Sequence, residues 1–110
     1  MNAVMVPVRR ARTPWQRLRG LLGSAPLPPG QGLLLEQCRA VHTVGMRRAI
    51  DVVFVAGDGA VIELRRGLGG GRFAVCRRAS SVLELGAGDA WRLGLWPGCR
   101  IRFVDAERAR

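Results

Sequence analysis

Lysine is absent from this 110-residue chain, histidine occurs once, and no Cys-x-x-Cys pair is present. No apolar run approaches the roughly 20 residues that a membrane-crossing helix needs. The longest, Val52 to Ala56, has the length of a strand. Cys38, Cys76 and Cys99 are widely spaced, and with His42 as the lone histidine neither a disulfide framework nor a structural metal site is expected. The start, MNAVMVPVRRAR, lacks the apolar core of a signal peptide, so a cytoplasmic location with reduced thiols is expected and no membrane partner. Glu36, Glu63 and Glu84 fall on different elements, which argues against a paired-carboxylate hydrolase. One histidine and no nucleophile elbow leave no serine-hydrolase pattern either.

What is present is an ordinary globular mixture, 48% hydrophobic and 24% charged residues, with length for one core. The expected organisation is a single domain over 1–104 followed by a short polar tail, 105–110. All 18 basic residues are arginine, against 8 acidic ones, for a net charge of +10. They are scattered, with only pairs such as Arg47-Arg48, Arg65-Arg66 and Arg77-Arg78. With six aromatics and no stacking pattern, solvated surface charge is favoured over a nucleic-acid site. Any nucleic-acid binding is expected to be electrostatic and sequence-blind.

Residues Val4 to Val8 alternate and predict a strand, placed at an edge by Pro7. Thr13, Pro14 and Gln16 form a helix start, and Trp15, Leu18 and Leu21 share a face, which predicts a short helix over 14–22. Gly32 to Leu35 is a short buried strand. Ile50 to Val55 and Val61 to Arg65 form a hairpin through Asp58-Gly59. The GLGGG stretch from Gly67 to Gly71 lacks a phosphate cradle's lysine and helix, so it is expected to be a flexible loop and no nucleotide cofactor is implied. Strands are expected at Arg72 to Cys76, Ser81 to Leu85 and Arg100 to Phe103, and a second short helix, capped by Asp89, over 89–93. Trp15 and Trp91 take core-compatible helix positions, whereas Trp96 before Pro97-Gly98 is the candidate for surface contact. The whole predicts a mainly β (β-rich α+β), barrel-like single domain with two short helices.

Several segments together resemble the DUF192 family of small prokaryotic domains. They are RGLLG (Arg19 to Gly23), PPGQGLLL (Pro28 to Leu35), CRAVHTVGMRRAIDVVFVAGDGAVIEL (Cys38 to Leu64) and SVLELGAGDAWRLGLWPGCRI (Ser81 to Ile101). HTVGM followed by IDVVF and the Asp-Gly hairpin is the specific part. The resemblance implies a compact β-rich fold and no established activity. The chain departs from the family pattern at Ala49, where proline is usual, and at Cys99, where an aspartate is usual.

The segment from His42 to Asp51 is the best candidate site, with His42, Thr43, Met46, Arg47, Arg48 and Asp51 as candidate ligand contacts. Its arginines favour a small anionic ligand or an acidic protein patch, which makes the chain a non-catalytic binding or accessory module. The simpler reading has Thr43 and Asp51 bonding loop backbone and Met46 filling core. The alternative is a small enzyme using Cys38, His42 or Asp51. It is weakened because residues 38 and 42 on an extended strand stand about 13 Å apart and no further group orients the imidazole.

Overall fold

The alternating segments become strands in the computed structural model, which describes residues 3–11, 13 and 27–106. Among the described residues are eight strands: β1 (Val4–Ala11), β2 (Gly32–Glu36), β3 (Ala40–His42), β4 (Ile50–Val55), β5 (Val61–Leu68), β6 (Phe73–Val75), β7 (Ser81–Gly86) and β8 (Ile101–Asp105). Six form one sheet in the order β5-β4-β7-β2-β1-β8, and β3 pairs with β6 in a separate two-stranded ribbon. β1 runs parallel to both β2 and β8, and the other pairings are antiparallel. The expected helix over 14–22, with Trp15 and the RGLLG segment, lies outside the described residues. Among the described residues the one helix is α1 (Asp89–Arg92).

Mainly β architecture is what the alternation predicts, but the six-stranded ladder does not close into a barrel. Its end strands, β5 and β8, meet only at the Ala60–Arg100 bridge. There Val61 N–H donates to Cys99 C=O and Ile101 N–H to Gly59 C=O, each at 2.8 Å. Glycine is required at position 59, because its φ is 89° and a Cβ would stand 2.6 Å from the Ile101 carbonyl oxygen.

Side-chain alternation divides the core between the two faces of the sheet. Val6, Val8, Leu34, Val53, Val55, Leu83, Leu85 and Ile101 pack on the inner face with Ala90 and Leu95. Leu35, Ile50, Val52, Phe54 and Val82 pack on the other, where Val41 of β3 and Ala74 of β6 cover them. β4 is therefore buried on both faces, which explains why it is apolar and mostly β-branched apart from Asp51.

Three local expectations are corrected. β1 is not an edge strand; it lies between β2 and β8. Pro7 is tolerated there because it stands opposite Val104 of β8, one residue before the β2 ladder begins at Val8–Gly32. Asp89 does not cap α1: Gly88 precedes the helix, and the Asp89 side chain instead accepts from Gly30 N–H at 3.1 Å and pairs with Arg92 at 2.8 Å. The C-terminal strand includes Asp105, and Ala106 is buried with its N–H on the Val8 carbonyl.

Candidate functional site

β3 and β4 converge on the connection that contains the six candidate residues, and the residues have different tasks there. Thr43 follows β3 and is wholly buried. Its hydroxyl donates to Gly69 C=O at 2.5 Å and accepts from Arg72 N–H at 2.9 Å. Its own N–H donates to Arg72 C=O, and its carbonyl accepts from Gly71 N–H and Met46 N–H. The glycine-rich loop is therefore clamped, not free. A Cβ on Gly70 would stand 2.6 Å from the Met46 carbonyl oxygen, so the loop is glycine because backbone passes against backbone.

Asp51 sits in the apolar β4 with only 1% of its surface exposed. Oδ1 accepts from Gly67 N–H at 2.8 Å, and Oδ2 accepts from Gly88 and Ala90 N–H, each at 3.0 Å. A strand carboxylate thus satisfies the first turn of α1 and pins the far end of β5 to it, the task of an N-cap performed from another element.

Met46 is half-buried against the second core cluster. Arg47 and Arg48 are exposed, and neither side chain makes an ion pair among the described residues. His42 is half-buried on β3, with its Nδ1 buried and lacking a hydrogen-bond partner. Its ring centroid is 6.3 Å from that of Phe73, its cross-strand neighbour on β6. The connection therefore brings three of the six, His42, Arg47 and Arg48, to the surface. Thr43 and Asp51 hold that surface from beneath.

Cys38, the proposed nucleophile of the enzyme alternative, donates its thiol to Ala40 C=O at 3.1 Å. The three cysteines are half-buried thiols. Among the described residues no group of three His, Cys, Asp or Glu side chains is placed to hold a metal ion. No helix among them is long and apolar enough to cross a membrane.

Residues without any signal in the sequence complete the surface. On the outer side of the β3–β6 ribbon Phe73 is 75% exposed and Val75 57%, opposite His42 and Ala40, with Val44 exposed beside them. Only the small Ala74 between them faces the core. Trp91, expected in the core, is 72% exposed, with the Arg66 guanidinium 6.0 Å from its ring; Trp96 is exposed as expected. The burial from this segment comes from Ala90 and Leu95 instead.

Two solved structures share this fold. A protein of unknown function from Novosphingobium aromaticivorans DSM 12444 superposes with a TM-score of 0.75 at 22% identity, covering 84% of this chain and 71% of that one. A protein from Sinorhizobium meliloti 1021, described as a "putative transcription regulator", superposes with a TM-score of 0.75 at 30% identity, covering 84% of this chain and 78% of that one. No curated protein matches the chain. The family model of DUF192, an uncharacterized ACR, matches residues 1–103, from before β1 to the middle of β8. With that match spanning both the clamped β3–β4 connection and the sheet that supports it, the chain belongs to the DUF192 family.

Proposed function

We propose that this domain is a non-catalytic binding module. Its partner surface is the outer side of the β3–β6 ribbon with the adjoining His42–Asp51 connection, and its partner is an acidic protein segment carrying apolar side chains. The observation that carries this reading is the exposure of Phe73 and Val75 beside His42. Burying a phenylalanine or valine side chain fully is worth about 1.5–3 kcal/mol, so this pair offers association energy that folding leaves unused. Arg39, Arg47, Arg48, Arg72, Arg77 and Arg78 in the flanking segments are all exposed. None of them is in an ion pair among the described residues, in contrast to Arg10, Arg65, Arg92 and Arg100. Unpaired arginines around an apolar strip favour an acidic partner with apolar anchors over a bare polyanion.

The enzyme reading has less support. The Asp51 carboxylate is occupied by backbone donors, the Cys38 thiol is directed to a backbone carbonyl, and the His42 Nδ1 has no hydrogen-bond partner among the described residues. A small anionic ligand at Arg47 and Arg48 is the lesser version of the same binding reading.

Fluorescence anisotropy with a synthetic peptide that alternates glutamate and leucine tests the proposal, with a single-stranded oligonucleotide of equal net charge as the competing polyanion. Phe73→Ala should weaken the peptide by about tenfold and leave the oligonucleotide unchanged. Oligonucleotide binding should collapse between roughly 50 and 200 mM salt, while the peptide retains its apolar contribution. Equal binding of the two probes, with Phe73→Ala affecting neither, would remove the basis for a protein partner.

A further inference from the structure

We infer that the opposite end of the sheet holds a second binding site, for a small amphipathic carboxylate. The strand register places Arg10 of β1, Glu36 of β2 and Ser81 of β7 on the inner face, in phase with Val8, Leu34 and Leu83. These polar residues come at the end of the sheet where β4 finishes at Val55, opposite Ser81. The end bearing Ile50 and Asp51 is about 17 Å away along the strand.

The β4–β5 turn, with Ala56, Gly57 and Gly59, and Ile101 and Phe103 of β8 complete a depression of about 390 Å³. That volume lies within the range of about 300–1,000 Å³ typical of small-molecule sites. The depression exists for a structural reason. β5 and β8 are joined at one bridge, and Ala56, Gly57, Gly59, Ser80 and Ser81 at this end have small side chains, which leaves space above Leu34 among the described residues.

The chemistry of the lining selects the ligand. Leu34, Ile101 and Phe103 supply apolar lining, and Ser80 and Ser81 add polar lining. Arg10 is only 29% exposed and uses Nη1 to meet Glu36 Oε1 at 2.7 Å. A guanidinium carries five N–H donors in a planar fork, so Arg10 keeps donors for a carboxylate without releasing Glu36. The acidic groups of the lining are already matched, Glu36 by Arg10 and Asp58 by Arg100 at 3.2 Å. The net charge of +10 favours an anion over a cation on approach. One cationic fork beside apolar lining fits a single carboxylate head on an apolar body.

Octanoate and octylammonium, which share an apolar body and differ in the head, test the inference by amide chemical-shift mapping. Octanoate should shift the amides of Glu36, Gln37, Gly57, Gly59, Ser81 and Phe103, and octylammonium should not. Arg10→Met should lower octanoate affinity by about tenfold while the amides of Thr43 and Asp51 keep their positions. Ser81→Leu, which places an apolar side chain in the depression, should abolish binding; Arg10→Gln provides a milder variant that retains a polar side chain. Octanoate shifts scattered over surface arginines, or an affinity unchanged by Arg10→Met and Arg10→Gln in folded protein, would overturn the inference.

Discussion

Asp51 on β4 and Ala90 in α1 are 39 positions apart, and the carboxylate of one accepts the backbone N–H of the other at 3.0 Å. The same carboxylate holds Gly67 and Gly88. A single side chain therefore ties three segments together, with hardly any exposure to water. Removing it leaves the buried Ala90 N–H without an acceptor, at about 1–3 kcal/mol, and also breaks the part-buried bonds from Gly67 and Gly88. Asp51→Ala should destabilise the domain by about 3 kcal/mol or more, read from the urea midpoint at constant slope. A loss below about 1 kcal/mol would show that water replaces the carboxylate and that the three segments are held by packing alone.

Thr43→Val keeps the shape of the side chain and removes the hydroxyl that bonds Gly69 and Arg72. The expected cost is roughly 1–3 kcal/mol. Hydrogen exchange should accelerate first at Arg72, whose N–H donates to that hydroxyl. Uniform acceleration across all strands would instead mean that the clamp is no weaker than the rest of the fold.

Two neighbouring glycines provide a paired test. Gly70→Ala drives a Cβ toward the Met46 carbonyl, whereas a Cβ on Gly69 meets nothing within 4 Å. Gly70→Ala should cost about 1–3 kcal/mol, and Gly69→Ala should be neutral or stabilise by about 0.4–1 kcal/mol through the unfolded chain. Equal thermal midpoints for the two variants would contradict the close approach.

The tryptophan and the leucine of the α1 region should respond in opposite ways to truncation. Trp91 has a cation–π contact with Arg66 and is otherwise exposed, so Trp91→Ala should cost only about 0.5–1 kcal/mol. Leu95 is fully buried, and Leu95→Ala should cost about 2–5 kcal/mol. Denaturant melts of the two variants decide between this placement and a tryptophan core.

The central strands were legible because each is a short apolar run with clear ends. Ile50–Val55, Ser81–Gly86 and Gly32–Glu36 are apolar runs bounded by turn residues, and the Asp58-Gly59 step marks the hairpin. β3 had no such signal: it has three residues, and only Val41 faces the core. Trp91 was misplaced because a four-residue helix is too short for periodicity to define a buried face. Asp51 was conspicuous as a carboxylate in an apolar strand, but its reason lies in backbone donors at 67, 88 and 90, which local pattern does not contain. The depression around Arg10 was illegible for the same reason. Its lining comes from four strands and the connections between them, and each residue is unremarkable in its own segment.

The parallel pairing of β1 with β8 has a consequence for how the domain is made. Val4 lies beside Ile101, so β1 waits for β8, nearly a hundred positions later, before that flank is covered. Contacts between such distant positions are slow to form, because closing the intervening loop costs entropy before any pairing offsets it. On the ribosome, β1 therefore emerges with a flank that stays open until β8 has been made. A nascent chain stalled before Ile101 should remain protease-sensitive at its N-terminus and prone to strand addition from neighbouring chains. Release of the C-terminal strand is then the committing step of folding, and truncations that remove it should be lost to aggregation and not retained as a smaller stable core.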